Sequence, residues 1–152
     1  MYKHILCPID GSATSNAGMH EAIQFAKEQN AQLHFLHVID TYIPIVDMSG
    51  DFNITYMINI LRENGENIIK NALAAAKKSG VIAESKTIES VGGRAASYIV
   101  QEAEKWPADL IVMGTHGLRG ISRLVMGSDA ENVLRTSKIA LLLVKSPHAE
   151  RR

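Results

Sequence analysis

The sequence predicts an α/β domain in which helices cover both faces of a parallel sheet, and three observations carry that expectation. Short β-type runs alternate with longer helical ones along the chain, the strand runs are continuously apolar, and the intervening stretches repeat apolar residues at helical spacing. Strands buried on both faces read as unbroken apolar runs, and right-handed crossovers between them put the helices on the two faces. The 152 residues fit one domain, 1–152, able to bury roughly 70% of the surface its unfolded chain exposes and so to fold without a metal or a disulfide.

The first strand run is His4 to Ile9, and Met19, Ala22, Ile23 and Ala26 then mark the apolar stripe of a helix. A second strand run spans Gln32 to Ile39. The least regular stretch follows, from Asp40 to Phe52 with Tyr42, Pro44, Ser49 and Gly50, long enough to be a lid or an exposed connection. The second helix is carried by Ile54, Met57, Ile58 and Leu61 and stops at Ser79-Gly80, where glycine takes the left-handed position beyond a helix end. After the strand run Ile82 to Ile88, Ala96, Ile99, Val100 and Ala103 define a third helix, which ends before Trp106-Pro107 because proline cannot continue it. The fourth strand run is Leu110 to Met113, a helix begins near Ser128, and the fifth strand run is Ile139 to Val144.

Composition narrows the function. Sixteen basic and sixteen acidic side chains cancel, which removes the electrostatic case for a nucleic-acid or anionic-membrane partner and makes any anion site local. The longest apolar run falls far short of the ~20 residues of a membrane span, and the amino terminus lacks the apolar stretch of a signal peptide. The single cysteine, Cys7, cannot pair within the chain, in keeping with a reduced, cytoplasmic protein. The six histidines show no zinc-ligand spacing.

One segment concentrates backbone freedom and hydrogen-bonding capacity: GTHGLRGISRLVMGSDAENVLR, residues 114 to 135, directly after the fourth strand run. In an open sheet of this type, ligands bind beyond the carboxyl ends of the strands where the strand order reverses, and glycines there let another backbone or a ligand come close. A Rossmann fingerprint is missing, because the first turn reads Ile9-Asp10-Gly11-Ser12-Ala13 with one glycine; a P-loop is missing, because no lysine lies between Lys105 and Lys138; and G-x-S-x-G is absent.

What does match is Gly114-x-x-Gly117, nine residues, then Gly127-Ser128. Together with Ile5-Leu6-Cys7-Pro8-Ile9-Asp10-Gly11-Ser12, Leu36-His37-Val38 and Ser128-x-x-Glu131-Asn132-Val133-Leu134, it resembles the universal stress protein family over essentially the whole chain, in its ATP-binding branch. The resemblance implies a doubly wound three-layer sandwich around a five-stranded sheet of order 3-2-1-4-5, with a nucleotide between the ends of strands 1 and 4. It puts Asp10 at the ribose and adenine end, the backbone of Val38 on the adenine, and Gly114, Gly117, Gly127 and Ser128 around the phosphates, with Pro8, Ile9, Met113, His116, Arg119, Asp129 and Ala130 as further cofactor-binding residues. The ligand implied is ATP, or AMP or ADP, with Mg²⁺ as companion of the nucleotide. The helix near Ser128 offers unpaired N–H donors and about half a positive charge in place of the missing lysine.

Structural readings compete at single positions. Ser128 and Glu131 form an S-x-x-E capping box that accounts for both without a ligand; Gly114 suits a tight turn and Gly127 a helix break. Arg119, Arg123 and His116 suit phosphate or plain solvent, Asp10 suits sugar hydroxyls or a cap on the helix at Ser12, and His34 and His37 read as partly buried sheet residues. Asp129 favours the dipole of its helix but opposes polyphosphate. No convergent acid–base pair stands out, so the sequence reads as an ATP-binding regulatory protein of the stress response with at most slow hydrolysis. The alternative is a dimeric interaction module of the same fold with an empty or AMP-binding site. The apolar run 139–144, at a sheet edge in the implied order, predicts a homodimer that pairs this strand with its copy.

Overall fold

A computed structural model describes residues 1–42, 53–116 and 126–146 of the chain. Its elements are β1 (His4–Pro8), α1 (Ala13–Gln29), β2 (Gln32–Asp40), α2 (Ile54–Lys78), β3 (Ala83–Ser90), α3 (Ala95–Lys105), β4 (Leu110–Gly114), α4 (Ser128–Thr136) and β5 (Ala140–Val144). All pairings are parallel and the sheet order is β3-β2-β1-β4-β5, the doubly wound arrangement expected. The strands match the apolar runs to within one or two residues. β3 begins after Ile82, which is 85% exposed, and runs on to Ser90, because ladder pairing with Asp40 of β2 carries it past the apolar stretch.

The reason for unbroken apolar strands is visible in the core, which lies on both sides of the sheet. Ile5, Cys7, Leu33 and Phe35 face α1 and α2, where Met19, Ala22, Ile23, Ala26, Ala72 and Ala76 pack on them. Their neighbours Leu6, Leu36, Ile111 and Met113 face α3 and α4 and meet Ala96, Ile99, Ala103, Ala130 and Val133. Side chains alternate across a strand, so two buried faces demand apolar residues at every position. Helix ends follow their chemistry: Asn30, in the left-handed conformation at φ 52°, closes α1, Gly80 at φ 75° follows α2, and α3 stops at Trp106.

At the amino ends of the strands a polar cluster ties α3 to the sheet. The buried His34 imidazole has Glu84 Oε1 3.3 Å from Nδ1 and Glu102 Oε1 3.4 Å from Nε2, close but without hydrogen-bond alignment. Lys86 Nζ donates to the other Glu102 oxygen at 2.6 Å, and the Trp106 indole donates to Glu84. Trp106 stacks on His34 at 4.9 Å between ring centroids and receives His4 edge-on at 5.4 Å.

Candidate functional site

The strand order reverses between β1 and β4, and a cleft opens at their carboxyl ends. From β1 and the residues after it the cleft takes Pro8, Ile9 and Asp10; from β4 and the residues after it Met113, Gly114 and His116; from β2 Leu36 and Val38. Ser15 of α1, Ala95 and Ile99 of α3, and Asp129 and Ala130 of α4 complete the wall. Gly127 and Ser128 sit beside it at the start of α4, outside the wall itself, and Gly117, Arg119 and Arg123 lie outside the described residues.

Each flank is built from local bonding. After β1 the Asp10 N–H donates to Ser15 Oγ at 2.9 Å, and Asp10 Oδ1 accepts the Ser12 N–H at 2.9 Å across Gly11, whose φ is 81°. Ser12 then caps α1, its hydroxyl accepting the Ser15 N–H at 3.2 Å. The structural role weighed for Asp10 is therefore present, and the carboxylate still lines the cleft. On the other flank Thr115 N–H donates to Val144 at 2.9 Å, Gly127 N–H donates to the Thr115 carbonyl at 2.7 Å, and Thr14 Oγ1 donates to the His116 carbonyl. These bonds hold Thr115, His116 and Gly127 at the carboxyl end of β4. The His116 ring meets the Thr115 hydroxyl through Nδ1 at 2.9 Å.

Two readings change. A methyl group on Gly114 would lie 2.6 Å from the carbonyl carbon and oxygen of Thr14, and one on Gly18 would lie 2.9 Å from the Gly114 nitrogen. Gly114 is thus required by the close approach of α1, not by a turn or by a ligand alone. The capping box does not form either. Gly127 is the cap residue, at φ −60°, and has no side chain with which to cap α4. Ser128 is already helical, and Glu131 instead accepts from Arg135 at 2.9 Å, one turn on. An S-x-x-E pattern needs its serine in an extended conformation, and here the helix starts one residue too early.

Electrostatics favours an anion at this end. The chain begins every one of α1 to α4 at the carboxyl edge of the sheet, where helix dipoles are positive. Ser12 and Asn53 close α1 and α2 with their own side chains, whereas Arg94 and Gly127, the cap residues of α3 and α4, make no such bond. Apolar Ile9, Val38, Ile99 and Met113 line the cleft together with the first turn of α4, a fit to a ligand with a flat apolar part and an anionic part. For a divalent ion the fit is weaker. Asp10 and Asp129 share the cleft, but among the described residues no group of three or more His, Cys, Asp or Glu side chains could hold a metal, so a cation there would depend on the ligand's own oxygens. Cys7 supplies no chemistry, since complete burial pushes its thiol far up and away from the nucleophilic thiolate.

Sequence reasoning missed Ser15, Leu36, Ala95 and Ile99 as wall residues. Ile99 was legible as a core position of α3, but which end of that helix reaches the cleft depends on the crossover. Among the described residues no helix is long and apolar enough to cross a membrane.

Comparison with known proteins gives the same fold. The family model described as "Universal stress protein family" matches residues 1–145. Universal stress protein MJ0531 of Methanocaldococcus jannaschii is 36% identical over 150 residues, covering 99% of this chain and 86% of its own. The solved structure of hypothetical protein MJ0577, from the same organism, superposes with a TM-score of 0.83 at 28% identity, covering 97% and 99%. A universal stress protein solved in complex with cAMP superposes with a TM-score of 0.70 at 26% identity, covering 95% of this chain and 98% of that one.

Proposed function

The chain belongs to the universal stress protein family, and we propose that within it this protein is an adenine-nucleotide-binding regulatory protein that holds ATP in the cleft between β1 and β4. One observation carries the reading: the cleft joins apolar residues of β2, β4 and α3 to the amino-terminal turn of α4. In this account Val38 and Ile9 receive the base, the base edge meets the backbone near Val38, Asp10 meets the ribose, and the first N–H groups of α4 with Gly127 and Ser128 meet the phosphates. His116, Gly117 and Arg119 complete the phosphate end. Mg²⁺ enters with the nucleotide, where it offsets phosphate charge. In this reading hydrolysis is at most slow and the protein acts by changing state with its ligand in the cytoplasm.

The same reading includes a homodimer through β5. Leu141 to Val144 are half-buried at the sheet edge, and antiparallel pairing with a second copy would satisfy the open N–H and C=O groups. β3, at the other edge, carries Glu84, Lys86 and Glu89 and protects itself by charge.

A second reading, a monophosphate ligand such as AMP, is favoured by the Asp129 carboxylate in the first turn of α4 and by the cAMP complex of a relative. Mass spectrometry of gently denatured, natively purified protein, together with calorimetry, separates them. Released or titrated ATP binding tighter than AMP, with GTP at least tenfold weaker (about 1.4 kcal/mol), supports the first; AMP binding tighter supports the second; retention of neither removes both.

A further inference from the structure

We propose that His37 is a positioning residue for the nucleotide cleft, holding the Ile9 carbonyl from the opposite face of the sheet, and that Gly65 is bare in order to seat its ring. The inference rests on the nucleotide reading above for its functional consequence, but its geometry stands apart from it. Along β2 side chains alternate, so Val38 lies on the cleft side while its neighbour His37 lies on the α2 side, buried to 8% exposure. There His37 Nδ1–H donates to the Ile9 carbonyl at 2.7 Å. A carbonyl oxygen only accepts, which places the proton on Nδ1.

Ile9 is the last residue before the chain leaves the sheet. Its N–H donates to the Leu36 carbonyl at 2.8 Å, so both of its backbone polar groups are tied to β2, one by the ladder and the other by a side chain. Asp10 and the Gly11 turn follow immediately, and the direction in which they depart is set by the plane of that Ile9 peptide. α2 completes the device. Gly65 sits within the 25-residue helix, where glycine is the poorest helix former after proline. A methyl group there would come 2.9 Å from His37 Cδ2, 3.1 Å from Nε2 and 3.3 Å from Ile39 Cδ1. The imidazole is wedged between the Ile9 carbonyl and the bare face of α2, and that fixed ring holds the base of the turn.

The test compares His37→Phe, His37→Asn and Gly65→Ala with the unaltered chain. Asparagine Nδ2 occupies the place of imidazole Nδ1 and can make the same bond; phenylalanine fills the space without a donor. Amide hydrogen exchange without ligand should quicken at least tenfold at Asp10, Gly11 and Ser12 in His37→Phe and Gly65→Ala relative to β4, with His37→Asn close to the unaltered protein. Calorimetry should show ATP, AMP and adenosine each weakened at least fivefold in His37→Phe and Gly65→Ala and restored in His37→Asn, while inorganic tripolyphosphate binding is unchanged. Unaltered exchange in folded His37→Phe or folded Gly65→Ala would overturn the positioning role. If no variant and not even the unaltered chain binds an adenine nucleotide, the nucleotide reading falls while exchange still decides the role of His37.

Discussion

At the amino ends of the strands every helix finishes with a basic side chain in its last turn: Lys27 in α1, Lys77 and Lys78 in α2, Lys105 in α3 and Arg135 in α4. At the carboxyl ends, where the same helices start, α1, α2 and α3 have no carboxylate in the first turn, and only α4 has Asp129 and Glu131. One end has its dipoles matched and its polar groups gathered into the His34, Glu84, Glu102, Lys86 and Trp106 cluster. The other keeps three helix starts free of carboxylates, and a cleft beside the fourth, whose dipole Asp129 and Glu131 partly offset. A chain with no net charge can therefore carry a local anion site, because backbone dipoles rather than lysines supply the field. The comparison also separates roles: changes at the amino end should alter stability and leave the ligand alone, and changes in the cleft should do the reverse unless they touch the contact between α1 and β4.

The largest effect should come from that exception. Gly114→Ala drives a methyl group into the Thr14 backbone, and it should lower the unfolding free energy by about 3 kcal/mol, the upper part of the overpacking range, as read by urea denaturation. A loss below about 0.5 kcal/mol would mean that α1 shifts freely and that Gly114 answers to a ligand alone.

Next in size is Glu102→Ala at the amino end, which strips Lys86 and His34 of a buried carboxylate. A loss of about 2 kcal/mol is expected, under the roughly 3–5 kcal/mol of a fully buried pair because Lys86 is half exposed. ATP affinity in the folded variant should be unchanged, and a matching drop in affinity would erase the division between the two ends.

The two sheet edges form a smaller version of the same contrast. Leu142→Lys should convert a dimer to a monomer by sedimentation equilibrium. Because Leu142 also packs against the α1 side of the core, circular dichroism must accompany the mass. A folded variant that keeps the dimer would move the interface away from β5.

Asp129→Asn should act in opposite directions on its two observables. Losing a carboxylate from the first turn of α4 costs about 0.5 kcal/mol of helix stabilisation, while ATP should bind roughly threefold tighter, and AMP less so, as repulsion is relieved. Equal gains for both nucleotides would indicate that Asp129 lies nearer the ribose than the terminal phosphates.

The smallest effect belongs to the exposed pair Arg62–Glu89, with Nε to Oε1 at 2.5 Å. The hydrogen bond from Arg62 holds the Glu89 carboxyl below the usual carboxylate range. A depressed folded value stabilises above the ordinary glutamate range and is lost as pH falls through the depressed one. Glu89→Gln should therefore lower stability slightly and by a constant amount above the ordinary glutamate range, the difference vanishing as pH falls through the depressed value; a difference that persists in acid would point to another cause.

Most of the fold was legible because it is local: apolar runs, helical stripes, Gly80 after α2 and Pro107 after α3 each act within a few residues. What escaped depends on distant parts of the chain meeting. Gly18 and Gly65 look like weak points in their helices, and only the approach of Gly114 and His37 explains them. The cluster joining His34, Glu84 and Glu102 spans three elements and leaves no local pattern. The S-x-x-E motif misled because a local signal was outvoted by one residue of helix register at Gly127. In the cleft, Pro8, Ile9, Asp10, Val38, Met113, Gly114, His116, Asp129 and Ala130 stand together, whereas Ala95 and Ile99 enter through the crossover of α3.

The most direct measurement of the central claim is an amide and methyl chemical-shift titration of the unaltered protein with ATP and Mg²⁺. The account predicts one saturable site per chain, with the largest shifts at Ile9, Val38, Ile99 and residues 127 to 130 and none at His34, Glu84 or Trp106. Shifts centred on that amino-end cluster, or none at millimolar nucleotide, would contradict it.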